Sequence, residues 1–205
     1  MARSTKAAAE KTRRRILDAA EQLFYVHGVA QTSLEQIAEA AGVTRGAIYW
    51  HFADKVALFR ALYEGVRLPQ EDLVEQAASG GNPDPLGLLE QVACDCLKTL
   101  AADRQRQRVY AILLFRCDYL GEMAEALARQ SEADAAMHAN LTRLFAMAGR
   151  DGLLSPRWAP AVAERAFTAM MRGLWVDWLR YERNFDLAGV GSDCVRGLFR
   201  SFRAE

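Results

Sequence analysis

The chain has 205 residues, 51% apolar and 25% charged, the balance of an ordinary folded protein with room for one large core or two smaller ones. Its 26 Lys and Arg are matched by 26 Asp and Glu, so net charge by itself points to neither a nucleic-acid nor a membrane partner. The longest apolar run, Val109 to Phe115, is too short to span a bilayer and no signal-peptide stretch opens the chain, which predicts a cytosolic protein without a membrane partner.

The charge is unevenly placed. Arg3, Lys6, Lys11, Arg13, Arg14 and Arg15 face only Glu10 within residues 1–15, a local net charge of +5 that the rest of the chain cancels. Such an end suits a basic arm lying near phosphates. An apolar stripe then runs through Ile16, Ala19, Ala20, Leu23 and Phe24 at helical spacing and stops at Gly28. Thr32 or Ser33 caps a short second helix whose inward face is Leu34, Ile37, Ala38 and Ala41, with Gln36 at capping-box distance from Ser33. Gly42 breaks it, Thr44 caps a third helix, and Asp54 opens a fourth that the periodicity carries to about Ala78.

Ser79 to Pro85 is the clearest loop. Beyond it the spacing predicts helices near 85–101, 104–117, 121–149, 159–181 and 192–202. Prolines are few and β-type alternation is missing, so the fold class is all-α with about nine helices. A domain of residues 1–54 is joined by the long fourth helix to a larger one of residues 55–205.

Two short helices separated by a glycine turn make a helix-turn-helix, whose second helix enters the DNA major groove. In GVTRGAIYWHF (42–52), Val43, Ala47, Ile48 and Phe52 must pack inward, which leaves Arg45, Gly46, Tyr49 and Trp50 outward. Arg45 can bind guanine O6 and N7 together, and Gly46 permits close backbone approach. Tyr49 and His51 can donate to phosphates, and Lys55 adds charge where the fourth helix presents free N–H groups. Paired helices around a glycine also occur as plain structural corners, so spacing alone leaves both readings open.

The stretch TRRRILDAAEQLFYVHGVAQTSLEQIAEAAGVTRGAIYWHFADKVALFRAL resembles the DNA-binding domain of the TetR family, and GVTRGAIYWHF is similar to that family's multidrug-efflux branch. DPLGLL (84–89), FRCDY (115–119) and FDL (185–187) also resemble that branch. The resemblance implies a palindromic double-stranded operator as partner, contacted by Thr32, Ser33, Thr44, Arg45, Gly46, Tyr49, Trp50, His51 and Lys55. Arg13 and Arg14 would reach the backbone or minor groove.

Three apolar stripes follow: Leu89, Val92 and Cys96; Met137 and Leu141; Phe167, Met171 and Trp175. Stripes of this kind are ordinarily core. Their mixture of Met, Cys and Trp also suits a cavity for varied apolar molecules. In the family's architecture the stripes converge, with Val66 and Leu114 beside them and Arg67, Tyr110, Asp134 and Arg172 placed to orient a ligand. The resemblance implies a lipophilic, drug-like or aromatic inducer. Leu114 and Phe115 stand where relatives carry polar or imidazole groups, and Arg172 where some carry an acid, so neutral or anionic aromatics are expected over cationic dyes.

Residues 159–181 are rich in Ala161, Ala163, Ala166, Ala169 and Gly173, and the last helix sets Val195, Leu198, Phe199 and Phe202 on one face. By resemblance these two helices form the homodimer interface. Four cysteines (Cys94, Cys96, Cys117, Cys194) without zinc spacing read as thiols in a reducing compartment, and no metal, cofactor or catalytic residue is expected. An enzyme on a helical scaffold would need a nucleophile elbow, Walker loop, HExxH or dinucleotide fingerprint, and none occurs in the sequence. A DNA-binding regulator without a small-molecule effector, or an activator, remains the alternative reading.

Overall fold

A computed structural model of the chain describes residues 2–66 and 70–204. Helix α1 (Ala2–His27) ends at Gly28, whose φ of 84° lies in the left-handed region that a side chain would strain. Helix α2 (Leu34–Ala40) starts as expected: the Ser33 hydroxyl accepts from the Gln36 amide at 3.2 Å, and the Gln36 side chain accepts from the Ser33 amide at 2.8 Å. Thr44 caps α3 (Arg45–His51) by accepting from the Ala47 amide at 3.2 Å. Asp54 caps α4 (Lys55–Glu64) by accepting from the Ala57 amide at 2.7 Å. Each cap satisfies a helix-opening N–H that has no partner inside its helix.

One expectation fails here. The long fourth helix projected to Ala78 stops at Glu64, and Gly65 and Val66 turn out of it, the Val66 amide bonding the Tyr63 carbonyl at 3.0 Å. A separate α5 (Gln70–Gly80) follows. Gly65 is a poor helix former and Pro69 has no amide hydrogen for a helical ladder, features that apolar periodicity does not register. The remaining elements are α6 (Pro85–Ala102), α7 (Arg104–Phe115), a 3₁₀ turn (Gly121–Met123), α8 (Ala124–Arg150), α9 (Pro160–Arg180) and α10 (Gly189–Phe202). Among the described residues there are ten α-helices and no strand, only an isolated bridge between Leu154 and Arg203.

The helices gather into two compact units, each drawn from two stretches of chain. The first holds α1 to α4, α7 and the start of α8 as far as Gln130. Its core is Ile16, Ala20, Phe24, Ile37, Ile48 and Leu58, all without solvent exposure, with α1 packed on α2, α3 and α4. Helix α7 is tied into this unit by polar contacts as well as packing. The Arg108 guanidinium pairs with the buried carboxylate of Glu21 on α1, and the Val29 amide donates to the Arg116 carbonyl at 2.9 Å. Arg106 donates to the Val66 carbonyl at 3.1 Å, and the Tyr119 ring meets Phe59 edge-on at 6.1 Å. A buried carboxylate deprived of a paired cation is strongly destabilising, so the Glu21–Arg108 pair holds α7 firmly.

The second unit holds α5, α6, α8 from Ser131, α9 and α10. Helix α6 packs on α10 and α5, and α10 also on α9. Its centre is aromatic: Phe145, Phe199 and Phe202 are wholly buried. Their ring centroids lie 5.3 Å apart for Phe145–Phe202 and for Phe199–Phe202, while Phe167 meets Phe199 at 5.4 Å and Trp158 meets Phe202 at 4.9 Å. This corrects the interface expected on the last helix. Val195, Phe199 and Phe202 are buried within the chain itself and, of the four, only Leu198 is half-exposed, because α6 and the aromatic cluster take up that face. The outward side of α10 is instead Val190, Cys194, Gly197 and Ser201.

Candidate DNA-binding face

The face is built by the turn that ends α2. Gly42 adopts φ 62°, and the Val43 amide returns to the Ala38 carbonyl at 2.9 Å, which reverses the chain within a few residues. Ile48 and Phe52 anchor α3 in the core, and Val43 and Ala47 are half-buried beside them. Their helical spacing forces the intervening residues outward. Arg45, Gly46, Tyr49 and Trp50 are exposed, Trp50 to 73%. A tryptophan left that open contributes little burial to the fold.

The outward groups are organised before any partner arrives. The Arg45 guanidinium sits 3.1 Å from a carboxylate oxygen of Glu35 on α2 and 5.6 Å from the centre of the Tyr49 ring. Its hydrogen bond to Tyr49, and then the charge of Glu35, hold its pKa above the ordinary guanidinium value, so it is a permanent cation. His51 lies edge-on to Trp50 at 4.6 Å, and partial burial, reinforced by the charge of Arg13, lowers its pKa. Arg13 stacks 5.3 Å from the Phe52 ring, and Arg14 is exposed on α1. Ser33 and Thr44 are engaged as caps with partly open side chains.

Thr32 and Lys55 are placed differently from the rest. Thr32 is 2% exposed, its hydroxyl donating to the Gly28 carbonyl at 2.8 Å, so it braces the approach to α2 from inside. The Lys55 ammonium donates to the Thr32 carbonyl at 3.3 Å, which keeps it beside the opening of α4. Two residues that the sequence did not single out complete the face: Glu35, which holds Arg45, and Arg15, which bonds the carbonyls of Ala41 and Gly42. Glu35 carried no signal. Arg15 was hidden inside a run of basic residues that reads as one arm lying near phosphates.

The residues expected around a ligand are distributed over both units. Val66, Tyr110 and Leu114 belong to the first, Val66 and Tyr110 buried and Leu114 exposed; Arg67 lies outside the described residues. Leu89, Val92, Cys96, Asp134, Met137, Leu141, Phe167, Met171, Arg172 and Trp175 belong to the second. Of these, Phe167 is part of the aromatic cluster, Arg172 points to solvent, and Asp134, Met137 and Trp175 are half-buried. Burial pushes the Cys96 thiol up to about 12, so it is an inert apolar group. Surface depressions of 560 Å³ beside Leu23, His27 and Gln36, and of 200 Å³ beside Cys94, Lys98 and Arg203, contain none of the residues expected to meet a ligand.

Comparison with known proteins decides the family. The profile of the tetR family of bacterial regulatory proteins matches residues 16–62, and that of the C-terminal region of MAATS-type transcriptional repressors matches residues 84–203. The chain belongs to the TetR family of transcriptional regulators. It is 42% identical over 202 residues to the transcriptional repressor BepR of Brucella suis, covering 98% of this chain and 97% of the relative. It is 36% identical to the regulator TtgR of Pseudomonas putida, covering 92% and 90%. Among solved structures, NalD, the secondary repressor of the MexAB-OprM multidrug efflux pump in Pseudomonas aeruginosa, is similar with a TM-score of 0.80 at 39% identity, covering 96% of this chain and 98% of that one. The SmeT–triclosan complex aligns with a TM-score of 0.81 at 29% identity over 95% and 93% of the two chains. No helix among the described residues is long and apolar enough to cross a membrane.

Proposed function

We propose that the protein represses a multidrug-efflux operon and leaves its operator when a lipophilic, preferably neutral or anionic aromatic, small molecule binds. Residues 1–54 read the DNA and residues 55–205 serve ligand binding and dimerisation. The observation that carries this reading is the outward face of α3, where Arg45, Tyr49 and Trp50 are exposed on a helix anchored by Ile48 and Phe52. Arg45 reads a guanine edge; Tyr49, Trp50 and His51 meet the backbone around it; Thr44, Ser33, Lys55, Arg13 and Arg14 fix the register on phosphates. Gly46 lets the helix approach closely, and Thr32 acts through the turn it braces.

Likeness to NalD and to SmeT, solved with triclosan, supports efflux control and an aromatic effector. Two recognition helices must reach successive major grooves, so the working form is a homodimer on a palindrome. The exposed sides of α9 (Val162, Ala169, Gly173) and α10 (Val190, Cys194, Gly197) are the faces that join it, since Gly173 and Gly197 leave open space for a neighbouring helix.

Helix α7 carries Tyr110 and Leu114 and is bonded to the head through Arg108–Glu21 and Arg116–Val29, so a ligand touching α7 acts on the head directly. A coupling of about 1–3 kcal/mol, or 5- to 150-fold in operator affinity, suffices, provided the ligand prefers the DNA-incompetent state. The test is a gel shift with the protein's own upstream region. A retarded band that hydrophobic phenols release and quaternary cations do not is the expected result. A band indifferent to every aromatic compound tried would leave a DNA-binding regulator without this class of effector.

A further inference from the structure

Arg13, Arg14 and Arg15 are consecutive, yet the helix sends them in three directions. Arg13 lies over the Phe52 ring, Arg14 faces outward, and Arg15 turns onto the end of α2. There the Arg15 guanidinium donates to the Ala41 carbonyl and, at 3.1 Å, to the Gly42 carbonyl. The last carbonyls of a helix lack partners within it, and a cation beside them also complements the helix dipole. The guanidinium occupies the space a side chain at Gly42 would need, since a Cβ built there falls 2.8 Å from the Arg15 terminal nitrogen. Arg15 and Gly42 are thus matched: the left-handed turn, the absent side chain and the capping arginine form one joint between α2 and α3.

We infer that Arg15 is a positioning residue for operator recognition, setting the angle at which α3 presents Arg45 and Tyr49, and not one of the cations that meet phosphate. The inference rests on the DNA-binding function proposed above. Two consequences distinguish it from its basic neighbours. A phosphate contact adds equally to all duplexes and contributes about one unit to the salt slope, whereas a joint that aims α3 changes the discrimination between sequences and leaves the slope alone. Its role depends on hydrogen-bond donors more than on charge, so a neutral donor replaces it in part.

The experiment measures dissociation constants of the full-length dimer for its upstream operator fragment and for a scrambled duplex of equal length, over a series of salt concentrations. Wild type, Arg15→Ala, Arg15→Met and Arg15→Gln are compared well below their melting temperatures. Loss of both hydrogen bonds in Arg15→Met and Arg15→Ala is expected to weaken operator binding about tenfold. Scrambled-duplex binding should change less than about twofold and the salt slope should stay as in wild type. Arg15→Gln should recover part of the loss. If Arg15→Ala proves unstable, Arg15→Met keeps the aliphatic stem and decides alone. A parallel loss on both duplexes with the slope reduced by about one unit makes Arg15 a phosphate contact and overturns the inference. Unchanged discrimination in a wild type that does discriminate overturns it as well. A wild type with no preference for its upstream fragment brings down the proposed function, and this inference with it.

Discussion

The same chain keeps aromatic side chains under two opposite regimes. In the second unit Phe145, Phe199 and Phe202 are fully buried, with Phe167 and Trp158 packed on them at 4.9–5.4 Å. In the first unit Trp50 and Tyr49 stand 73% and 43% exposed on α3, within two turns of Ile48, which has no exposure. Folding accounts for the first group, because each buried ring removes a large apolar area from water. It does not account for the second, whose neighbours are Arg45, His51 and a glycine. Under the proposed function, these exposed aromatics on a firmly anchored helix meet the operator.

The comparison breaks most sharply at Phe199. Phe199→Ala should cost about 3–5 kcal/mol of stability in chemical unfolding, while the fraction still folded binds its operator as wild type does. A DNA defect beyond the folded fraction would mean the aromatic cluster also shapes the recognition surface. On the other side, Arg45→Ala should cost about 1–3 kcal/mol of operator binding and relax preference at one base position, read by a panel of single-base operator variants, with the melting temperature held. Between the two lies Ser33→Ala. It deletes half of the capping box under α2 and should lower stability by about 1 kcal/mol, weakening DNA binding only through that loss.

Trp50→Ala sharpens the contrast further. The fold should be indifferent, within about 0.5 kcal/mol, while titration of the operator shows weaker binding. A melting temperature that drops as it does for Phe199→Ala would place Trp50 in the core.

The smallest effect concerns pH. The pKa of His51 is lowered from its ordinary value, first by partial burial and then by the charge of Arg13. A depressed histidine stabilises the fold above its unfolded pKa of about 6.5, and that contribution is lost as pH falls through the lower folded value. Duplex phosphate favours the charged form, so operator binding should take up a proton in the same range. Calorimetry in buffers of different ionisation heat detects it, and His51→Gln should abolish the uptake.

Legibility differed between the two regions for a physical reason. The head was readable because its determinants are local. Ser33, Thr44 and Asp54 cap helices through bonds spanning three residues, Gly28 and Gly42 mark left-handed turns, and Arg45, Tyr49 and Trp50 face outward by helical arithmetic. What escaped were partners distant in sequence: Glu35 against Arg45, and Arg15 against Ala41 and Gly42. The body was less readable because an apolar stripe states that a face is buried without stating against what. Val195, Phe199 and Phe202 have the spacing of an interface helix, and they pack on their own chain.

From the residues alone came the all-helical class, the caps, the turn and the outward side of α3, since each depends on backbone preferences and a 3.6-residue period acting within a few positions. Only the tertiary structure could place α7 in the same unit as α1 through Arg108 and Glu21, eighty-seven residues apart, and turn the apolar side of α10 onto its own chain. Such choices depend on which surfaces meet once the chain has closed on itself, and no local preference encodes that meeting.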